Sequence, residues 1–398
     1  MKNTLNYKGF TRKFRQIALA GIAGALVSGG AFAAEPVKLG VMLPYTGTYA
    51  ALGDAITKGL ELAINENGGK LGGRDVEFVT IDSEANPGKA PQNMNRLING
   101  EGADVVIGPV HSGVAMGMLK MARQEGAIMI IPNAGLNAAT RQFCAPNIFR
   151  TSFSAWQTAY PMGKMAYEKG YRKIATIAWN YSFGKESLEA FEEGFKAAGG
   201  EIVKQFLTPF PKVEFQAYLT EIASLKPDAV FAFYAGGGAV KFVKDYDAAG
   251  IKKSIPLLGS GFMTDGTLTA QGQSAEGVMT TLHYTETLDN AKNKAFQQAY
   301  QDAYGATADI YSVQGYDAGQ MLVQALASLK GDTSDKDAFI KALAAVKIDS
   351  PRGPWHFSKA HNPVQNMYLR EVKNGENVVV KIAAEAVDDP ATGCTMAQ

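Results

Sequence analysis

Short apolar runs rich in Val, Ile and Ala alternate with longer segments whose apolar residues recur every three or four positions, from Val37 to about Leu329. The runs have strand length and end in Gly, Pro, Asn or Asp, while the longer spacing is that of an amphipathic helix. Strands are predicted at Val37–Leu43, Val76–Asp82, Val105–Ile107, Ile128–Ile131, Lys173–Trp179, Ile202–Leu207, Ala229–Tyr234 and Pro256–Gly259, with a crossing strand at Gly277–Thr281. Helices are predicted at Ala50–Asn65, Pro91–Asn99, Ala159–Lys169, Lys185–Ala198, Phe215–Leu225, Ala239–Ala249, Asn290–Tyr304, Tyr311–Leu329 and Lys336–Val346. A β-like pair, Met367–Val372 and Val378–Ile382, closes the pattern. Strand, helix, strand at this length makes right-handed parallel β-α-β units. The fold class expected is α/β, with two Rossmann-like lobes of parallel sheet joined by a multi-strand hinge.

Residues 103–135 carry the sharpest local signal. The strand Val105–Ile107 runs into the turn His111-Ser112-Gly113, then a helix with Val114, Met118 and Met121 on its apolar face. The next strand ends in Pro132-Asn133-Ala134-Gly135. Two successive strands ending in small-residue loops on one sheet edge mark where open α/β sheets bind ligands. Ser112 falls at or near a helix N-cap, where its hydroxyl and free N–H groups suit an anion; the plainer reading is a cap alone.

The N-terminus departs from this pattern. Lys2, Lys8, Arg12, Lys13 and Arg15 precede the apolar run Ile17–Val27, and small residues follow to Ala31-Phe32-Ala33. That is the layout of a cleaved secretory signal over residues 1–33, its apolar core of about 11 residues being too short for a membrane span. The product is expected to be exported. Five basic and no acidic residues lie before Ala34, which leaves 34 Lys+Arg against 38 Asp+Glu and a net charge of −4. With no basic cluster, nucleic acid is not an expected partner. About 365 remaining residues exceed what one core serves. We expect lobe 1 to comprise residues 34–150 plus about 283–353, and lobe 2 residues 151–282 plus about 354–385. A tail of about 386–398 is then linked to lobe 1.

Cys144 and Cys394 are the only cysteines. In an oxidising compartment an isolated pair forms a disulfide, with two free thiols as the alternative. Neither has a second Cys or His at zinc-ligand spacing, so no metal is expected. An enzyme is not expected either. Val110 stands where a G-x-S-x-G elbow needs its first Gly, and His283, His356 and His361 form no H-E-x-x-H. Gly184-Lys185-Glu186 lacks the Ser or Thr of a Walker motif, and Gly236–Gly238 lacks G-x-G-x-x-G spacing, so no cofactor is expected.

Several motifs in order, KLGVMLPYTGTYAALGDAITKGLELA, GPVHSGVA, FRTSFSAWQ and YSVQGYDAGQML, resemble periplasmic solute-binding proteins of the branched-chain amino-acid transporter type. The resemblance implies a two-lobed type I periplasmic binding protein that closes on a small ligand and delivers it to the permease and ATPase subunits of an ABC importer, as a monomer. It implies a ligand carboxylate held at Ser112. A second carboxylate-binding Thr of such relatives is replaced by Gly135, and a covering aromatic corresponds to Phe183. The acid that holds an amino-acid ammonium is missing from Gly259-Ser260-Gly261-Phe262, and a neighbouring Tyr is replaced within Gly236–Gly238.

A buried ammonium without a carboxylate partner costs several kcal/mol, so free amino acids are disfavoured. Tyr45, Tyr49, Trp156, Tyr181, Phe183, Tyr234 and Phe262 all fall at loop edges facing the predicted cleft, and planar rings suit a planar ligand. With AWQTAYPMGK and YAGGGAVKFVKDY, the chain resembles the aromatic-acid-binding branch of the family. The ligand expected is a small aromatic carboxylate of benzoate, hydroxybenzoate or cinnamate type. The expected site is Ser112, His111, Asn133, Ala134, Tyr49, Leu52, Trp156, Tyr181, Phe183, Tyr234, Gly236 and Phe262. His111 is read either as a donor to the carboxylate or ring hydroxyl, or as a packed turn residue. A branched-chain or other amino-acid binder, or a sensing domain of a membrane receptor, is the alternative.

Overall fold

The computed structural model describes residues 35–397, and the expected signal segment lies outside them. The first sheet contains β1 (Val37–Leu43), β2 (Lys70–Leu71), β3 (Arg74–Asp82), β4 (Val105–Ile107), β5 (Met129–Ile131) and β6 (Ile148–Arg150), in the order β2-β3-β1-β4-β5-β6. All pairings are parallel except the short β2–β3 hairpin. Helices α1 (Ala50–Glu66), α2 (Ala90–Asn95) and α3 (Ser112–Glu125) connect them. β1, β4 and β5 are almost wholly buried, as expected of parallel strands covered on both faces.

The second sheet contains β7 (Lys173–Trp179), β8 (Glu201–Thr208), β9 (Ala229–Phe233), β10 (Leu257–Ser260), β11 (Met279–Leu282), β12 (His356–Phe357), β13 (Pro363–Lys373) and β14 (Glu376–Val387). Its order is β12-β13-β11-β10-β9-β7-β8, with β14 paired to β13. The helices that follow α3 are α4 (Ala155–Glu168), α5 (Ser182–Ala198), α6 (Gln216–Leu225), α7 (Gly236–Ala248), α8 (Leu268–Gln271), α9 (Ala291–Tyr304), α10 (Ile310–Ser328) and α11 (Lys336–Ala344).

α10 follows β7–β11 of the second sheet in sequence yet packs on α1 of the first lobe. A Cβ added to Gly59 would lie 1.9 Å from Ser312 O, and one on Gly315 would lie 1.9 Å from Ile56 O. The two backbones touch, which only glycine permits. The crossings between sheets are bonded to one another. Arg352 donates to Thr151 O at 2.7 Å and Ser152 O at 3.2 Å, and Gln365 Nε2 donates to Ser152 O at 2.7 Å. Arg352 Nε also lies 3.2 Å from Asp317 Oδ2, both side chains being buried.

Several boundaries differ from the sequence reading, each for a local reason. α4 starts at Ala155 because Ser154 and Gln157 form a capping box, a signal already present as Ser-x-x-Gln. α7 starts at Gly236, three residues early: the glycines form its first turn, and a Cβ on Gly238 would lie 2.1 Å from Trp179 Cζ2. The helix at Pro91–Asn99 is instead α2 followed by a π turn over Arg96–Gly100. β11, read as a crossing strand, is a regular parallel neighbour of β10. The β13–β14 hairpin is longer than expected and extends the sheet antiparallel.

Cys144 and Cys394 form the disulfide, 250 residues apart with Cα atoms 5.5 Å from each other. Beside it Arg141 grips Asp389 with two hydrogen bonds, 2.8 and 3.0 Å. The tail is thereby tied to the β5–β6 connection. No described helix is long and apolar enough to cross a membrane.

Candidate functional site

Between the two sheets lies a narrow cavity, with about 270 Å³ of space between its lining atoms, part of it open to solvent. From the first lobe it is lined by Tyr49, Leu52, Val110, Asn133, Gly135 and Tyr311. The second lobe and the first crossing contribute Phe153, Tyr181, Phe183, Phe233, Ala235 and Phe262. None of these side chains is charged.

Four phenylalanines make a continuous apolar wall. Phe153 lies 4.6 Å from Phe262 and 5.8 Å from Phe183, centroid to centroid, and Phe183 lies 4.6 Å from Phe233. Gly135 faces this wall at the closest possible range. A Cβ there would sit 2.3 Å from Phe183 Cε2 and 2.6 Å from Phe153 Cε2. The absence of a side chain at Gly135 is thus what makes space for the phenyl rings.

The hydroxyls of Tyr49 and Tyr181, both on the lining, meet across the lobes at 2.9 Å. His111 stacks on Tyr181 at 4.3 Å, and Phe210 packs 4.9 Å from His111 and 5.6 Å from Tyr49. Phe210 was not singled out from the sequence, because nothing local distinguishes a loop Phe that reaches the opposite lobe.

Polar groups behind the wall are few. The cap of α3 is His111, not Ser112: Nδ1 of His111 accepts from Gly113 N–H at 3.0 Å. That bond leaves the proton on Nε2, and burial lowers the ring's pKa to about 4. The imidazole is neutral and packed, so it brings no positive charge to the site. Released from capping, the Ser112 hydroxyl is buried without a hydrogen-bond partner. Tyr311 OH and Gln314 Nε2 are likewise buried and unpartnered, while Gln314 Oε1 accepts from Asn133 Nδ2 at 2.7 Å. Buried polar atoms are nearly always satisfied, so Tyr311 OH on the cavity lining and Gln314 Nε2, on the side chain bonded to the lining residue Asn133, are donors open to an acceptor.

Of the residues expected from sequence, Tyr49, Leu52, Asn133, Tyr181, Phe183 and Phe262 line the cavity. Ser112 and His111 are not among the lining residues, although His111 stacks on Tyr181, which is. Ala134 does not offer its backbone N–H, which donates to Pro109 O at 3.0 Å. Trp156 sits outside on the first turn of α4, stacked on Tyr160 at 4.5 Å and donating to Glu193 at 3.1 Å. Tyr234 follows Phe233, and strand alternation sends it to the other face, where its hydroxyl meets Thr208 Oγ1 at 3.1 Å. Gly236 packs against Thr48 rather than the cavity, since its Cβ would lie 2.2 Å from Thr48 O. Tyr45 is turned to Thr57, its hydroxyl 2.8 Å from Oγ1. Phe153, Phe233 and Tyr311 were missed, although Phe153 stands inside the FRTSFSAWQ motif and alternation along β9 would have pointed to Phe233.

The loop that lacks an ammonium partner backs onto a cation. Arg370 donates to Gly261 O at 3.3 Å and is paired with the buried Asp265 at 2.6 Å. A ligand ammonium at this wall would face a guanidinium whose only acid is already engaged. Among the described residues no group of three or more His, Cys, Asp or Glu is placed to hold a metal ion.

Known proteins agree with this architecture. The Leu/Ile/Val-binding protein homolog 6 of Brucella melitensis biotype 1 is 30% identical over 370 residues, covering 91% of this chain and 94% of its own. A solute-binding protein of an ABC transporter from R. palustris, solved with benzoate, is 50% identical with a TM-score of 0.89, covering 90% of this chain and 99% of its own. One from Rhodopseudomonas palustris BisB5, solved with 3,4-dihydroxybenzoic acid, is 32% identical with a TM-score of 0.84, covering 89% and 99%. The family model described as periplasmic binding protein matches residues 36–377. Built as two parallel-sheet lobes around an uncharged cavity and matched over nearly all of its described length, the chain belongs to the periplasmic binding protein family.

Proposed function

We propose that this protein is the periplasmic substrate-binding component of an ABC importer and that it takes a small aromatic carboxylate of benzoate or hydroxybenzoate type. The observation that carries the reading is the pairing of a four-phenylalanine wall with orphaned hydroxyl and amide donors at one uncharged cavity. The ring lies on Phe153, Phe183, Phe233 and Phe262, and the carboxylate takes the Ser112 hydroxyl, with the unpartnered Tyr311 hydroxyl and Gln314 amide as further donors. The relatives solved with benzoate and 3,4-dihydroxybenzoic acid support it. The protein works as a monomer without catalytic activity, after removal of residues 1–33. Its lobes are those drawn from the sequence, with α10 on α1 supporting the return of about 283–353 to lobe 1.

Calorimetry on the mature protein tests this with benzoate, 4-hydroxybenzoate and leucine. The aromatic acids bind and leucine does not; leucine bound as tightly as benzoate restores the amino-acid reading that the Brucella relative's name suggests. Ser112→Ala weakens benzoate about ten- to a hundredfold, because a hydrogen bond to a charged group contributes about 1.5–3 kcal/mol. Since His111 caps α3, the variant's unliganded melting temperature stays that of the parent. Unchanged affinity in that variant places the carboxylate elsewhere.

A further inference from the structure

The loop between β5 and β6 is gripped from the second lobe at two points. Asn137 N–H donates to Glu186 Oε2 on α5 at 2.9 Å. The other grip is the start of α4, where Ala155 N–H donates to Gly135 O at 2.7 Å and Trp156 N–H to Asn137 Oδ1 at 3.2 Å. α4 follows the first crossing directly and is tied to it. Glu186 belongs to α5, one helical turn beyond Phe183, so the two share a face. One touches the ligand cavity and the other reaches the opposite lobe. Within its own lobe the loop is held by Arg150, which donates to Leu136 O at 2.9 Å and to Thr140 Oγ1.

We propose that Glu186 is the latch with which α5 locks onto the Gly135–Asn137 loop when the lobes close on a ligand, and that closing the latch takes up a proton. The proposal rests on the ligand reading above only for the choice of probe. The charged and titratable groups facing Glu186 are Arg150 from β6, Arg141 from the β5–β6 connection, Tyr181 just before α5 and Glu189 on α5 itself. The first two turns of α4 carry no charged side chain. Burial raises the Glu186 carboxyl to about 7, outweighing the hydrogen bond from Asn137 and the two arginines, which lower it.

With the lobes apart the carboxyl returns to water and to the ordinary range near 4.3. The closed state therefore holds the proton more tightly. The stabilisation from proton uptake is complete below the open-state value and is lost as pH rises through about 7. A protonated carboxyl still accepts from Asn137 N–H through its carbonyl oxygen, so the latch stays engaged.

The experiment is calorimetry with benzoate from pH 5.5 to 8, a range in which benzoate stays ionised, on the parent, Glu186→Gln and Glu186→Ala. The parent binds about thirtyfold more tightly at pH 5.5 than at pH 8. Glu186→Gln, a neutral isostere that keeps an acceptor, binds at pH 8 as the parent does at pH 5.5 and loses the slope. Glu186→Ala binds more weakly than Glu186→Gln at every pH and releases benzoate faster. Leucine serves as the second probe. A protein that ignores benzoate and binds leucine overturns the aromatic-acid reading while its leucine profile still reports the latch. A parent and Glu186→Gln with the same pH profile, or a protein that binds neither probe, overturns the latch.

Discussion

Replacing Gly135 by threonine is expected to reduce benzoate affinity by about a hundredfold or more while leaving the protein folded. The first added atom already falls 2.3 Å from Phe183 and 2.6 Å from Phe153, so one ring must swing into the cavity. Overpacking of this kind costs roughly 1–3 kcal/mol, and the displaced ring then occupies the space the ligand needs. A hundredfold loss corresponds to about 2.7 kcal/mol. Leucine binding does not appear in exchange, since Gly135→Thr supplies no acid for an ammonium. Calorimetry with both ligands, beside a melting curve, checks this. Parental benzoate affinity in a folded variant would falsify the tight approach of Gly135 to the ring wall.

Removing Arg352 is expected to have the largest effect on stability. Arg352→Leu leaves Asp317 buried and unpaired and takes donors away from Thr151 O and Ser152 O, where the chain first crosses between sheets. Breaking one side of a buried ion pair costs about 3–5 kcal/mol. Burial already pushes Asp317 up to about 6 and Arg352 down to about 10. Without its partner the carboxyl must be protonated in the folded state, so its folded value lies above the unfolded one. The deficit is then greatest above neutrality and narrows as pH falls toward 5. Urea unfolding at pH 5 and pH 8 measures it. Arg352→Leu combined with Asp317→Leu recovers a large part of the loss at pH 8, and failure to recover would place the effect in the two carbonyls instead.

The β-α alternation was legible because parallel strands covered on both faces, such as β5 and β9, read as unbroken apolar runs. Element ends were less so. The start of α7 at Gly236 depends on Trp179, a residue far away in sequence that leaves no room for a side chain at Gly238. At the site, aromatics on loop edges were readable as a class, but their direction was not. Phe233 and Tyr234 are adjacent aromatics, and only the register of β9 decides that one faces the cavity and the other Thr208. The change of cap from Ser112 to His111 was hidden for a different reason. Serine is the common cap, and histidine takes the role here through Nδ1. The loss of the ammonium partner was visible at Gly259–Phe262, whereas Arg370 behind that loop comes from a strand more than a hundred residues later.

The seam between Gly59 and Gly315 has a bearing on how the chain becomes a protein at all. As the polypeptide emerges, β1 and α1 come first, yet the surface that α1 must bury belongs to residues 310–328. Until those have followed, the leading lobe lacks one layer of its core. The same arrangement means that a fragment ending near residue 150 exposes the glycine face of α1 to water and has nothing to close it.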